Sequence, residues 1–150
     1  MILTSDMKNL IRLFEKYEVN YALVGGFAVI HYGVIRTTQD IDFLIEPNSD
    51  NAQRVMRVIS EFGFSGTGIK SEHFEKESVA IHLGVEPNRI DMLTSLLGVS
   101  NEKIFSSLEE AEIDGCLLKV ISLEDLVASK LASKRYKDLA DAEILQTLLD

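Results

Sequence analysis

Cysteine, proline and tryptophan are almost missing from this chain: 150 residues contain one cysteine, two prolines and no tryptophan. A lone thiol, Cys116, cannot close an internal disulfide, and no cysteine or histidine spacing resembles a zinc site. The reducing cytoplasm is therefore the expected setting. No apolar run approaches the roughly 20 residues needed to cross a bilayer. Asp6 already interrupts the amino terminus, which has no basic-then-apolar leader pattern. Neither a membrane span nor secretion is expected. Basic residues are the minority, 15 Lys and Arg against 24 Asp and Glu, for a formal net charge of -9. Such a charge repels polyanions at long range, so broad nucleic-acid binding is disfavoured and no DNA partner is expected. A local basic patch can still hold one phosphate. What is present is 46% hydrophobic residues and 26% charged residues spread along the chain. That composition suits a globular protein with one well-buried core, read as a single domain over 1–150.

Leu10, Ile11, Leu13, Phe14 and Tyr17 recur at helical spacing after the capping candidates Thr4 and Ser5. Tyr21 to Val24 is a short apolar strand that ends at Gly25-Gly26, and Phe27 to Tyr32 reads as a helix closed by Gly33. The polar, basic stretch from Val34 to Gln39 leads into a strand over Asp40 to Ile45, ended by Pro47 and Asn48. A helix follows over Ser49 to Phe62, and Gly63 to Lys76 reads as a loop or weak hairpin. Val79 to Leu83 and Arg89 to Leu93 suggest neighbouring strands separated by Gly84, Pro87 and Asn88. Asp114-Gly115 marks a hairpin between Ala111 to Ile113 and Cys116 to Ile121. Ser122, three positions before Asp125, opens a closing helical region with a break around Arg135 and Tyr136. Leu123, Leu126, Val127, Leu131, Leu139, Ile144 and Leu148 are its expected buried side. The sum is an α/β (α+β) fold, a short mixed β-sheet flanked by helices.

Alternation along a strand puts Asp40 and Asp42 on one face and Ile41 and Phe43 on the other. Two residues along a strand span roughly 7 Å, so both carboxylates can converge on metal ions about 3.5–4 Å apart. Like charges held side by side raise one another's pKa unless a cation or strong donors lie between them. Hard oxygen ligands beside a phosphate favour magnesium. The alternative for such a pair is the solvated face of an edge strand, and for a glycine pair it is simple punctuation of a turn. Here Gly25-Gly26 lies between a strand and a helix, where bare backbone N–H groups suit phosphate. A third carboxylate, Asp91, sits within Arg89-Ile90-Asp91-Met92-Leu93. If its strand lies beside that of Asp42, three carboxylates meet, enough for two magnesium ions and for accepting a proton from an attacking hydroxyl.

Gly25-Gly26, a 13-residue spacer, Asp40-Ile41-Asp42-Phe43 and the later Asp91 between apolar residues together resemble the signature of the nucleotidyltransferase superfamily, the DNA polymerase beta type. Arg36-Thr37-Thr38-Gln39, with Lys130, Arg135, Lys137, Asp138 and Asp141 in the tail, is similar to small bacterial and archaeal members, some of them toxins of toxin–antitoxin or abortive-infection systems. The resemblance implies that Gly25 and Gly26 cradle a nucleoside triphosphate such as ATP. It further implies that Asp40 and Asp42 hold both magnesium ions and that Asp91 completes the catalytic metal site. The chemistry implied is in-line transfer of a nucleotide onto an RNA end, a protein hydroxyl or a small molecule. Many members carry Ser after the first glycine, whereas this chain has Gly26, so the backbone must serve alone.

Arg36 could contact phosphate or be merely solvated. Lys130 is read as a nucleotide contact within the basic cluster of Lys134, Arg135 and Lys137, and Lys134 as helix-end charge. Asp138 and Asp141 are expected to pair with Arg135 or Lys137. His31, His73 and His82 lack metal-ligand spacing and are read as structural. The rival to an enzyme is an inactive module of the same fold that holds a partner, such as a helical antitoxin-type protein.

Overall fold

The computed structural model describes residues 2–64, 67–85 and 88–149. Helix α1, Ser5–Lys16, starts where the Thr4 side chain accepts a hydrogen bond from the Met7 N–H. Its apolar stripe of Met7, Leu10, Ile11 and Phe14 is buried. Strand β1, Tyr21–Val24, runs directly into helix α2, Gly25–His31, and β2, Ile41–Ile45, follows a loop. Helix α3, Ser49–Phe62, is capped by the Asn48 side chain and ends at Gly63, whose φ of 102° is a left-handed stop. Strands β3, Ala80–Leu83, and β4, Ile90–Leu93, come next, then helix α4, Asn101–Ser106. The hairpin β5, Glu109–Ile113, and β6, Cys116–Val120, precedes helices α5, Leu123–Ser133, and α6, Tyr136–Leu149.

Among the described residues the strands form one six-stranded sheet in the order β3-β4-β2-β1-β6-β5. It is mixed, as expected: β2 pairs antiparallel with β1 and parallel with β4, and β1 pairs parallel with β6. Phe14 of α1 packs on Tyr21 and Phe43, with ring centroids 4.8 Å and 5.1 Å away. That aromatic contact covers the sheet face opposite to Asp42, because Phe43 and Asp42 alternate along β2. Fully buried Asn51 ties the ends of β1 and β2 together. Its amide donates to the carbonyls of Asn20 (3.0 Å) and Glu46 (2.8 Å), and its carbonyl oxygen accepts from the Asn20 N–H (2.8 Å). Buried polar atoms left unmatched are costly, so these bonds hold the strand pair in register. Among the described residues no helix is long and apolar enough to cross a membrane.

Several local expectations shift. Asp40 stands just before β2 rather than inside it, and the glycine pair forms the first turn of α2 rather than preceding it. The region from Gly63 to Lys76 contains a 3-10 turn at Ser71–Phe74, and α4 has no counterpart in the sequence reading. Pro87, read as part of the separator between β3 and β4, lies outside the described residues. The break between the closing helices falls at Lys134, which takes a left-handed φ of 61°. The expected buried side of those helices holds at fewer than half of its seven positions. Leu126 and Val127 are buried, but Leu131, Leu139, Ile144 and Leu148 are exposed. Helix α6 instead turns Asp138, Asp141, Ala142 and Leu145 inward, because cations on α5 and on the loop before β2 wait there for its carboxylates.

Candidate active site

The parallel register of β2 and β4 puts Asp42 abreast of Asp91, and the antiparallel register of β4 and β3 puts Asp91 abreast of His82. Residues abreast in a sheet share a face, so three neighbouring strands carry Asp42, Asp91 and His82 in one row. Just before the two strands stand Asp40 and Arg89, next to the first paired residues Ile41 and Ile90, and the Ile41 N–H donates to the Arg89 carbonyl at 3.2 Å. The condition the sequence set, that the strand of Asp91 lie beside the strand of Asp42, is met.

The row is electrostatically uneven. Burial pushes the Asp42 carboxyl up to about 7, and the negative charges of Asp91 and Asp40 add to this while Lys130 opposes it. For Asp91, burial also pushes upward, but hydrogen bonds from Arg89 and His82 outweigh it and hold this carboxyl below the usual range. Arg89 Nε lies 2.8 Å from Asp91 Oδ1 and Arg89 NH2 lies 3.2 Å from Oδ2, while His82 Nδ1 stands 2.6 Å from Oδ1. Asp40 Oδ1 is buried and has no hydrogen-bond partner. Among the described residues no three acidic, cysteine or histidine side chains are already arranged around a metal position. The open acidic oxygen is that of Asp40, whereas Asp91 is engaged by Arg89 and His82 and shares a hydrogen bond with Asp42.

Gly25 is required by two independent facts. Its φ is 68°, and a Cβ placed on it would lie 2.1 Å from Asp42 Oδ2. Gly26 is similarly crowded, with Thr38 Oγ1 at 2.8 Å from a would-be Cβ. Val24 provides no capping side chain for α2, so N–H groups of its first turn keep their donors. These residues line a cleft of about 470 Å³ that also contains Arg36, Arg89, Ser129, Lys130, Arg135 and Lys137. A recess of about 520 Å³ elsewhere is ringed by Glu46, Glu75, Glu77 and Glu102, a charge that repels phosphate.

Arg36 and Lys130 reach the cleft, but both are already held. Arg36 NH1 pairs with Asp141 Oδ2 at 2.5 Å and is 13% exposed, so it is not a solvated loop arginine. Lys130 Nζ lies 2.8 Å from Asp138 Oδ1 and 3.5 Å from Asp141 Oδ2. Asp138 also accepts from Arg135 Nε at 2.8 Å and from the Ser133 hydroxyl. Burial pushes Asp138 upward, yet the bonds from Lys130, Ser133 and Arg135 prevail and hold it at about 2. The expected Asp138 to Arg135 pair is therefore present, and Asp141 takes Arg36 and Lys130 instead. Sequence reasoning passed over Arg89 and His82 as site residues. Arg89 was visible in principle, two positions before Asp91 on one strand face, whereas His82 becomes a neighbour only through the register of β3 with β4.

The family model for a nucleotidyl transferase of unknown function (DUF2204) matches residues 3–149. No curated protein matches the sequence. Among solved structures, the lincosamide antibiotic adenylyltransferase LnuA, solved with lincomycin bound, is similar at 15% identity and a TM-score of 0.58, covering 97% of each chain. A Thermotoga maritima protein with a provisional nucleotidyltransferase assignment aligns at 19% identity and a TM-score of 0.58, over 93% of this chain and 88% of its own. An antigenic nucleotidyltransferase-like protein from Paracoccidioides brasiliensis aligns at 18% identity and a TM-score of 0.59, over 97% of this chain and 78% of its own. The neighbours share the mixed sheet flanked by helices, and with the family match across nearly the whole sequence the chain belongs to the nucleotidyl transferase family.

Proposed function

We propose that this protein transfers a nucleoside monophosphate from a nucleoside triphosphate to a hydroxyl of a small-molecule acceptor, using a divalent ion held by Asp40 and Asp42. The observation that carries the reading is a pair of crowded, uncompensated carboxylates beside an uncapped glycine turn. Asp40 Oδ1 is buried without a partner, Asp42 is crowded by like charge, and Gly25 packs directly against it. An all-oxygen donor set beside a phosphate site suits magnesium, which when bound would neutralise charge on the reacting phosphate. The N–H groups of the α2 first turn hold the triphosphate, and the acceptor oxygen attacks the α-phosphorus as the bond to the β-phosphate oxygen breaks. Pyrophosphate leaves, and the hydroxyl's proton passes to the aspartate patch. Two considerations favour a small acceptor over RNA. The net charge of -9 repels a polyanion, and LnuA, similar over 97% of both chains, acts on a lincosamide.

The test is thermal melting with each of the four ribonucleoside triphosphates, with and without magnesium, for the natural protein and Asp42→Asn. A ligand that binds only the folded state stabilises by about 2.7 kcal/mol at a hundredfold excess over its dissociation constant. A magnesium-dependent rise with at least one nucleotide, lost in Asp42→Asn, is the expected result. No shift at millimolar nucleotide and magnesium would overturn the reading. Gly25→Ala is a second check. Its Cβ displaces Asp42, and the left-handed backbone adds about 1–2 kcal/mol of destabilisation. Transfer should fall about 100-fold with a modest drop in melting temperature. Activity within twofold of the natural protein would show that Asp42 is not where it is needed.

A further inference from the structure

Four side chains meet at one end of the paired strands: Asp42 on β2 and Asp91 on β4, abreast in the sheet, with Asp40 and Arg89 just before the starts of those strands, where the Ile41 N–H donates to the Arg89 carbonyl at 3.2 Å. Three are carboxylates and the fourth is a guanidinium. Arg89 closes on Asp91 in a fork, Nε to Oδ1 at 2.8 Å and NH2 to Oδ2 at 3.2 Å, and His82 Nδ1 adds a contact to Oδ1 at 2.6 Å. Each carboxylate oxygen has about two acceptor positions. Oδ1 of Asp91 is thus filled and Oδ2 half filled, whereas Asp40 Oδ1 has no partner at all. A divalent ion drawn onto Asp91 would have to sit against a fixed cation and displace a charge-assisted bidentate contact, the stronger kind of hydrogen bond.

We propose that Arg89 replaces one of the two ions the fold would otherwise take. Its guanidinium supplies a permanent cation beside the three carboxylates, and the site binds a single divalent ion, on Asp40 and Asp42, together with the triphosphate. The inference rests on the nucleotidyltransferase reading and narrows it. Asp91 is then a positioning and charge-balancing group rather than a metal ligand, with His82 and Arg89 fixing its orientation. The patch carries a net charge of two negatives, which one divalent ion matches.

The experiment counts ions rather than turnover. Manganese binding is titrated by electron paramagnetic resonance in the presence of the α,β-methylene analogue of whichever triphosphate stabilises the protein most. One ion per complex is expected for the natural protein and for Arg89→Lys, which keeps the charge, and two for Arg89→Gln, which removes it. Arg89 is one-third exposed on its side chain, so these variants should fold, and the natural protein's count decides the matter even if they do not. Two ions on the natural protein overturn the inference while leaving the transferase reading in place. A count that stays at one in folded Arg89→Gln also overturns it, since Arg89 would not be what excludes the second ion. If the natural protein binds neither analogue nor manganese, and Asp42→Asn behaves identically, both readings fall together.

Discussion

Asp42→Asn should melt at a higher temperature than the natural protein at pH 8 without ligand, while losing about 10³-fold or more in transfer. The cause is the carboxyl's displacement, from an ordinary 3.8 to about 7 in the folded protein. A group whose folded pKa is raised lends its stabilisation fully below the unfolded value and withdraws it as pH rises through the folded one. The natural protein should therefore lose stability from about pH 4 up to about pH 8 in the absence of ligand. Taken alone, a shift of this size corresponds to about 4 kcal/mol. Neighbouring Asp91, held below the usual carboxylate range, is ionised in both states across this window and changes stability only at acid pH. Asp138, held at about 2, works in the other direction, and its contribution is lost only as pH falls through that value. Asparagine does not titrate and can donate to Asp91 as the protonated acid does, so the variant should be nearly flat from pH 6 to 8. Magnesium should restore the natural protein at pH 8 and do little to the variant. Melting curves at pH 6, 7 and 8 decide this, and parallel profiles for the two proteins would remove the basis for treating Asp42 as a strained site.

Lys130→Met should cost about 3–5 kcal/mol, enough to lower the melting temperature by about 10 °C or more. The ammonium is nearly buried, 9% exposed, and bonds Asp138 at 2.8 Å with Asp141 at 3.5 Å. Removing it strands Asp138, itself 3% exposed, with only Arg135 and Ser133 to satisfy it. Adding Asp138→Asn to the same chain should recover much of the loss, because the uncompensated charge goes with it. Urea unfolding of the single and double variants measures both. A loss below about 1 kcal/mol in the single variant would mean that Lys130 is held for phosphate rather than for α6. The structure makes it the clasp between α5 and α6, and through Asp141 it joins Arg36 and the loop that leads to the aspartate strand.

The contrast between Asp42 and Lys130 marks how far the sequence reaches. Asp-x-Asp at the start of a strand reports its own geometry, since alternation is local and brings the two carboxylates close together even though Asp40 stands just before β2. Gly25-Gly26 is legible for the same reason, because a left-handed turn beside a strand end needs glycine. Lys130 and Arg36 are different. Their charge and approximate position are visible, but whether each faces a phosphate or a buried aspartate depends on how α6 packs, and α6 inverts the usual pattern by turning acids inward. Apolar residues at exposed positions misled the expectation for Leu131 of α5 and for Leu139, Ile144 and Leu148 of α6.

The sequence by itself determined the class of fold, the order of nearly all strands and helices, the glycine turn and the aspartate pair, because each is written in short-range periodicity or in the backbone needs of single residues. Only the tertiary structure decided that β4 runs parallel beside β2 in a register that brings Asp91 to Asp42. It alone put His82 on that carboxylate and committed Arg36 and Lys130 to the acids of α6. Those facts depend on strand register and helix packing between residues as many as 105 positions apart, and such contacts are selected by the whole core at once, which no local pattern records.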